Sequence, residues 1–191
     1  MSTDLTPKSK GYTIGGAMAF VGARYGNEGR QKVLARLDPE CRALAQGGFV
    51  PGGWYPMKHQ VAVYEAIDRT FGSGDFRLCW QIGQFTAEYE LSTIHKMLIR
   101  FGKPEHILRI SGMLWGMYYS TGKMALENVA GGSAVAILRG FNPISKALCM
   151  DIAGWMERSL ELTGAKDVHI VHSTCFMDGK GECRYEGSWK T

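Results

Sequence analysis

The spacing of apolar residues reads as helices through the middle of this chain and as short strand-forming runs near its end. That order constrains the fold more than any single motif. After Pro56, the residues Met57, Val61, Tyr64, Ile67 and Phe71 stand four, three, three and four apart, one face of a helix. Gly72 and Gly74 close it. Leu78, Ile82, Phe85 and Tyr89 predict a helix from about Phe76 to Leu91, continued or kinked over residues 93–101. Pro104 opens another, apolar nearly all round from Met113 onward, which implies burial on several sides. Lys123 to Val129 and Ser133 to Arg139 read as strands joined by Ala130-Gly131-Gly132, a hairpin signal. Pro143 opens a long helix, Ile144 to Leu162. The strands Val168 to Thr174 and Cys183 to Trp189 follow it. The expected class is α+β: a helical bundle packed on a small antiparallel sheet, with a long helix between the hairpin and the two C-terminal strands.

The first 55 residues are less periodic. Residues 1–10 are polar and read as a flexible tail, leaving residues 11–191 as a single ligand-binding domain. Tyr12 to Val21 is small and apolar and is expected to be a strand or an extended entry segment. Asn27 can cap a short helix through Leu37. Asp38 followed by Pro39 predicts a second short helix to about Ala45.

Composition narrows the function class. A chain of 191 residues can bury a core without disulfides. The net charge of +4 is spread out, with no run of Lys or Arg dense enough for a nucleic-acid footprint. The longest apolar stretches, such as Ala17 to Ala23, are too short to span a bilayer. With no secretory signal at the start, a cytoplasmic location is expected. Five cysteines there are an odd count and not a disulfide framework.

Four side chains of the last third form a candidate metal site: Cys149, His172, Cys175 and Cys183. A glycine-containing turn brings positions 175 and 183 together, and the long helix can present Cys149 to them. Three thiolates and one imidazole suit tetrahedral zinc, at about 2.3 Å for sulfur and roughly 2.0–2.1 Å for nitrogen. Because 172 and 175 point to opposite faces of a regular strand, the strand must end or bulge near Ser173 or Thr174. The spacing fits equally well a set of buried, inert thiols beside a hydrogen-bonded histidine.

The segment from Leu148 to Trp189 resembles the sensory domain of phenol- and toluene-responsive bacterial activators that work with sigma-54, in the 4-vinyl reductase superfamily, related to subunits of the vesicle-tethering transport-protein particle. Gly154 and Cys183-Arg184 carry the resemblance together with the four candidate ligands. Trp54-Tyr55-Pro56 and Trp115-Gly116-Met117-Tyr118-Tyr119 resemble single-domain myxobacterial relatives of unknown function. The resemblance implies structural zinc held by three cysteines and an acidic residue, whose place His172 takes here. Glu127 to Gly132 lacks the aromatic with which phenol-sensing members grip their ligand, so phenol sensing is not implied.

The aromatic and methionine-rich middle can line an apolar pocket or simply fill a core at helical spacing. Trp80, Phe85, Trp115 and Tyr119 are the candidate wall residues. The expected function is a non-enzymatic sensory domain that binds a small hydrophobic molecule and signals through a protein partner, as a homodimer or mixed oligomer. An interaction scaffold without a ligand is the alternative, and a thiol- or zinc-dependent hydrolase built on His172 and Cys175 is the third reading.

Overall fold

The computed structural model describes residues 6–93, 103–141 and 145–190. A short strand β1 (Lys8–Lys10) leads into α1 (Gly11–Leu34) and α2 (Pro39–Gly47). Strand β2 (Trp54–Pro56) leads into α3 (Met57–Phe71) and α4 (Arg77–Thr93), and then comes α5 (Pro104–Tyr118). The hairpin β3 (Lys123–Ala130) and β4 (Ser133–Arg139), the long helix α6 (Lys146–Leu162), and strands β5 (Lys166–Thr174) and β6 (Glu182–Lys190) complete the chain. Among the described residues the main sheet has the order β3-β4-β6-β5, antiparallel throughout, and β1 pairs with β2 in a second, two-stranded sheet. The fold is α+β, as the periodicity implies. The expected continuation over residues 94–101 and the helix start at Pro143 and Ile144 lie outside the described residues.

One element differs in kind. Tyr12 to Val21, expected as a strand, is the first half of α1. Ile14, Ala17, Phe20 and Val21 are all buried and fall on one helical face. A short apolar run does not by its composition distinguish a strand from a buried helix, and packing against α3 and α4 decides here. Gly16 permits that packing, because a side chain there would meet the Thr86 methyl at 2.6 Å. The helix kinks at Gly26, whose φ of 66° is left-handed. Asn27 therefore stands just past a kink within one element.

The other helix signals act as physical chemistry requires. Asp38 accepts a hydrogen bond from the Cys41 amide at 3.0 Å and Pro39 follows at the first turn. Ser145 caps α6 through the Ala147 amide at 3.3 Å and donates to Glu65 at 2.8 Å, which ties α6 to α3. Helices α4 and α6 touch backbone to backbone. A methyl on Gly83 would collide with the Asp151 carbonyl, and one on Gly154 with the Trp80 carbonyl. Glycine at both places lets α6 lie flat on α4, with the sheet and α5 closing over its other side.

Candidate functional site: an apolar cavity and a thiol cluster

Between α4, α5, α6 and the sheet lies an apolar cavity of about 100 Å3. Its origin is visible in the strand register. Ala134 and Ala136 alternate onto one face of β4 and pair with Gly187 and Tyr185 of β6. Three small residues on the two central strands leave the helices nothing to pack against, and the space stays open. Ile107, Leu114 and Trp115 of α5 cover it from one side, and Ile152, Trp155 and Leu160 of α6 from another.

Two carboxyl groups enter this apolar space. Asp151 is 5% exposed and Glu90 3% exposed, and both line the cavity. Burial drives the Asp151 carboxyl well above the usual range, against the Tyr64 hydroxyl beside it, and any charge on Glu90 adds to the rise. Burial also pushes Glu90 up to about 7, although Trp155 donates to it at 3.3 Å and Tyr118 hydrogen-bonds it. Asp151 Oδ1 and Trp189 Nε1 are buried without a hydrogen-bond partner. Among the described residues the lining contains no Lys, Arg, His or Cys.

The four wall residues chosen from sequence separate into two pairs. Trp115 and Tyr119 line the cavity and stack on each other, 4.3 Å between ring centroids at 20°. Trp80 and Phe85 lie elsewhere. Trp80 donates its indole N–H to Glu157 at 3.3 Å, and Phe85 packs edge-on to Phe20 at 5.7 Å. Asp151, Glu90, Tyr185 and Trp189 were missed. A sequence signal existed for the first two: Asp151 interrupts the apolar run from Ala147 to Ala153, and Glu90 follows Ile82 and Thr86 at four-residue steps on a buried face. A buried polar residue is more informative than another buried leucine.

On the other side of Tyr185 lies the cysteine cluster. The sulfurs of Cys149, Cys175 and Cys183 and a ring nitrogen of His172 all lie within 4.8 Å of one another. Strand β5 is irregular between His172 and Thr174 and ends there, so Cys175 turns onto the same side as His172. Gly179 and Gly181, both with positive φ, carry the chain back to Cys183. The Cys149 and Cys175 sulfurs are 3.9 Å apart, and Cys183 accepts the Phe176 amide at 3.4 Å. Hydrogen bonds from Cys149, His172 and that amide pull the Cys183 thiol down against its burial, and the same pairing holds Cys149 protonated. Such a cluster can share protons internally or ligate one soft cation.

No family model matches the chain, and no curated protein matches it. Solved structures do. An H-NOX protein from K. algicida, described as Fe(II) unliganded, matches with a TM-score of 0.74 at 14% identity, over 95% of this chain and 97% of that one. An H-NOX protein from S. oneidensis in the Fe(II)NO ligation state matches with a TM-score of 0.74 at 14% identity, over 95% and 99%. A triple mutant of an S. oneidensis H-NOX protein in the Fe(II) state reaches 0.76 at 15% identity, over 95% and 96%. The chain has the H-NOX fold. Two expectations are corrected by this likeness. The neighbours are H-NOX proteins and not members of the 4-vinyl reductase superfamily, so the resemblance drawn from Leu148 to Trp189 does not hold as a family assignment. With it goes the structural zinc, because the H-NOX neighbours are described with iron and not with zinc. Cys149, His172, Cys175 and Cys183 do come together, but part of the cluster's bonding is already internal.

Proposed function

We propose that this chain is a small-molecule-binding sensory domain that signals through a partner or through its own oligomers. One observation carries this reading: an apolar cavity, walled by helices and a sheet, into which buried polar groups protrude without partners. Clefts of that kind, with a few convergent polar groups in an apolar lining, are the ordinary form of a small-ligand site. Binding fits better than hydrolysis at the thiols. Cys149, Cys175 and Cys183 are 0%, 4% and 0% exposed, so a substrate cannot reach them.

Haem is the first occupant to test, because the H-NOX neighbours are described as Fe(II) proteins with NO or CO bound. The described lining does not suit it. Haem iron takes His, Cys, Met or Tyr as axial ligand. Among the described residues the lining offers no His or Cys, only the thioethers of Met124 and Met156, and burial holds its tyrosines far from the phenolate form. Nor does any Lys or Arg among the described lining residues face the propionates, and about 100 Å3 is small for a macrocycle. His95 lies outside the described residues.

Native mass spectrometry of gently purified protein tests the reading. A copurifying small molecule, displaced when Ala136→Leu fills the cavity, is the expected result. Unchanged ligand content in that variant would sink it.

A second site is proposed in the same chain. Cys149, His172, Cys175 and Cys183 form a thiol–imidazole site for a soft cation, whose identity is to be read from elemental analysis. A stoichiometric cation lost in Cys175→Ser supports it, and metal-free, fully folded wild-type protein refutes it. For the partner-facing surface, Met113 and Met117 stand one turn apart on α5, 59% and 43% exposed, and offer an adaptable apolar face. Light scattering across a concentration series, with Met113→Lys as control, reads whether that face joins two copies.

A further inference from the structure

We infer that the cavity takes an uncharged molecule of about the size of a single six-membered ring, carrying one oxygen acceptor that faces Trp189. The inference rests on the cavity reading above and adds a ligand class to it. Size sets the first limit. An apolar protein cavity of roughly 150 Å3 accepts benzene, so a cavity of about 100 Å3 admits one small ring with slight adjustment.

Hydrogen bonding sets the second. The Trp189 indole nitrogen is donor-only, buried and unpartnered. Asp151 Oδ1, elsewhere in the lining, is likewise buried and unpartnered. A buried donor left unsatisfied destabilises the protein, a cost that a ligand acceptor removes and a pure hydrocarbon does not. Charge sets the third. The described lining has no Lys or Arg to balance an anion. A cation would give up its hydration to an apolar lining in which burial keeps the Asp151 carboxyl neutral.

Four probes on the full chain separate these limits: cyclohexanone, toluene, cyclohexylamine and hemin, followed by calorimetry and, for hemin, by absorbance. Cyclohexanone is expected to bind at least tenfold more tightly than toluene or cyclohexylamine. Trp189→Phe, with circular dichroism to verify folding, is expected to remove most of that preference while leaving toluene binding intact. Because the wild-type series needs no variant, misfolding of Trp189→Phe does not rescue the inference. Equal affinity for cyclohexanone and toluene overturns the acceptor assignment and leaves the cavity reading standing. Tighter binding of cyclohexylamine overturns the neutral-ligand assignment. Stoichiometric hemin binding that excludes cyclohexanone overturns the size assignment. Failure of every probe overturns the cavity reading itself.

Discussion

The His172 imidazole lies flat against the Tyr185 ring, 4.7 Å between centroids and 18° from parallel. Tyr185 lines the cavity, while Cys149 and Cys183 lie close enough to its hydroxyl to add to the rise that burial imposes on it. One aromatic ring is thus the partition between the two proposed sites.

Removing that partition is expected to disturb both. Tyr185→Ala deletes a side chain that is 1% exposed and is expected to destabilise the fold by about 3–5 kcal/mol. It also opens the cluster, so thiol titration under native conditions is expected to find a newly reactive cysteine. Tyr185→Phe keeps the ring and is expected to stay within about 1 kcal/mol of wild type, with cluster thiols still protected. Chemical denaturation beside a native thiol assay reads both effects.

Glu90 gives the fold a pH dependence of definite sign. Its carboxyl titrates near 7 when folded and at 4.5 ordinarily, so between those values the folded state holds a proton that the unfolded chain releases. The stabilisation is fully present below about pH 4.5 and is lost as pH rises to 7. By the shift, the loss is roughly 3 kcal/mol. Buried Asp151 contributes in the same direction. Glu90→Gln removes the Glu90 part, so the stability difference between variant and wild type is expected to widen in favour of the variant from pH 5 to pH 8. A difference independent of pH would show that Glu90 is ionised in the folded protein.

The glycine contacts between α4 and α6 predict intolerance to one methyl. Gly154→Ala puts a Cβ into the Trp80 carbonyl, where no flexible side chain can move aside. A loss of at least 1–3 kcal/mol, or failure to accumulate as folded protein, is expected. Gly15→Ala is the control, since nothing lies within 4 Å of that position. It is expected to be neutral or slightly stabilising in thermal melts.

Asp38 offers a smaller, local test. Asp38→Ala removes the cap on the Cys41 amide and is expected to cost about 1 kcal/mol, with Asp38→Asn recovering most of it.

The helices were legible where an apolar stripe met a proper start, as at Asp38-Pro39, Pro56 and Pro104. The α1 strand expectation failed because Tyr12 to Val21 is a short apolar run whose helical face shows only once α3 and α4 pack on it. The cysteine cluster was legible because three of the chain's five cysteines and a nearby histidine fall in its last third, and the need for a broken strand near Thr174 followed from the two-residue period. The cavity was not. Ala134, Ala136 and Gly187 are unremarkable residues until the β4–β6 register sets them side by side. Asp151 and Trp189 gain meaning only from the space those small residues leave. The aromatic residues picked for that role were chosen by size, and size alone sent Trp80 and Phe85 into other contacts.

Where α6 crosses α4 at Gly83 and Gly154, carbonyl oxygens rest against bare α-carbons, with no side chain between at those two points. Such a seam has no slack. The two helices act as one stiff plate, so under the proposed sensory reading strain from a ligand in the cavity leaves by the softer boundaries, through α5 or through the strands. A receiver of the signal is best sought there.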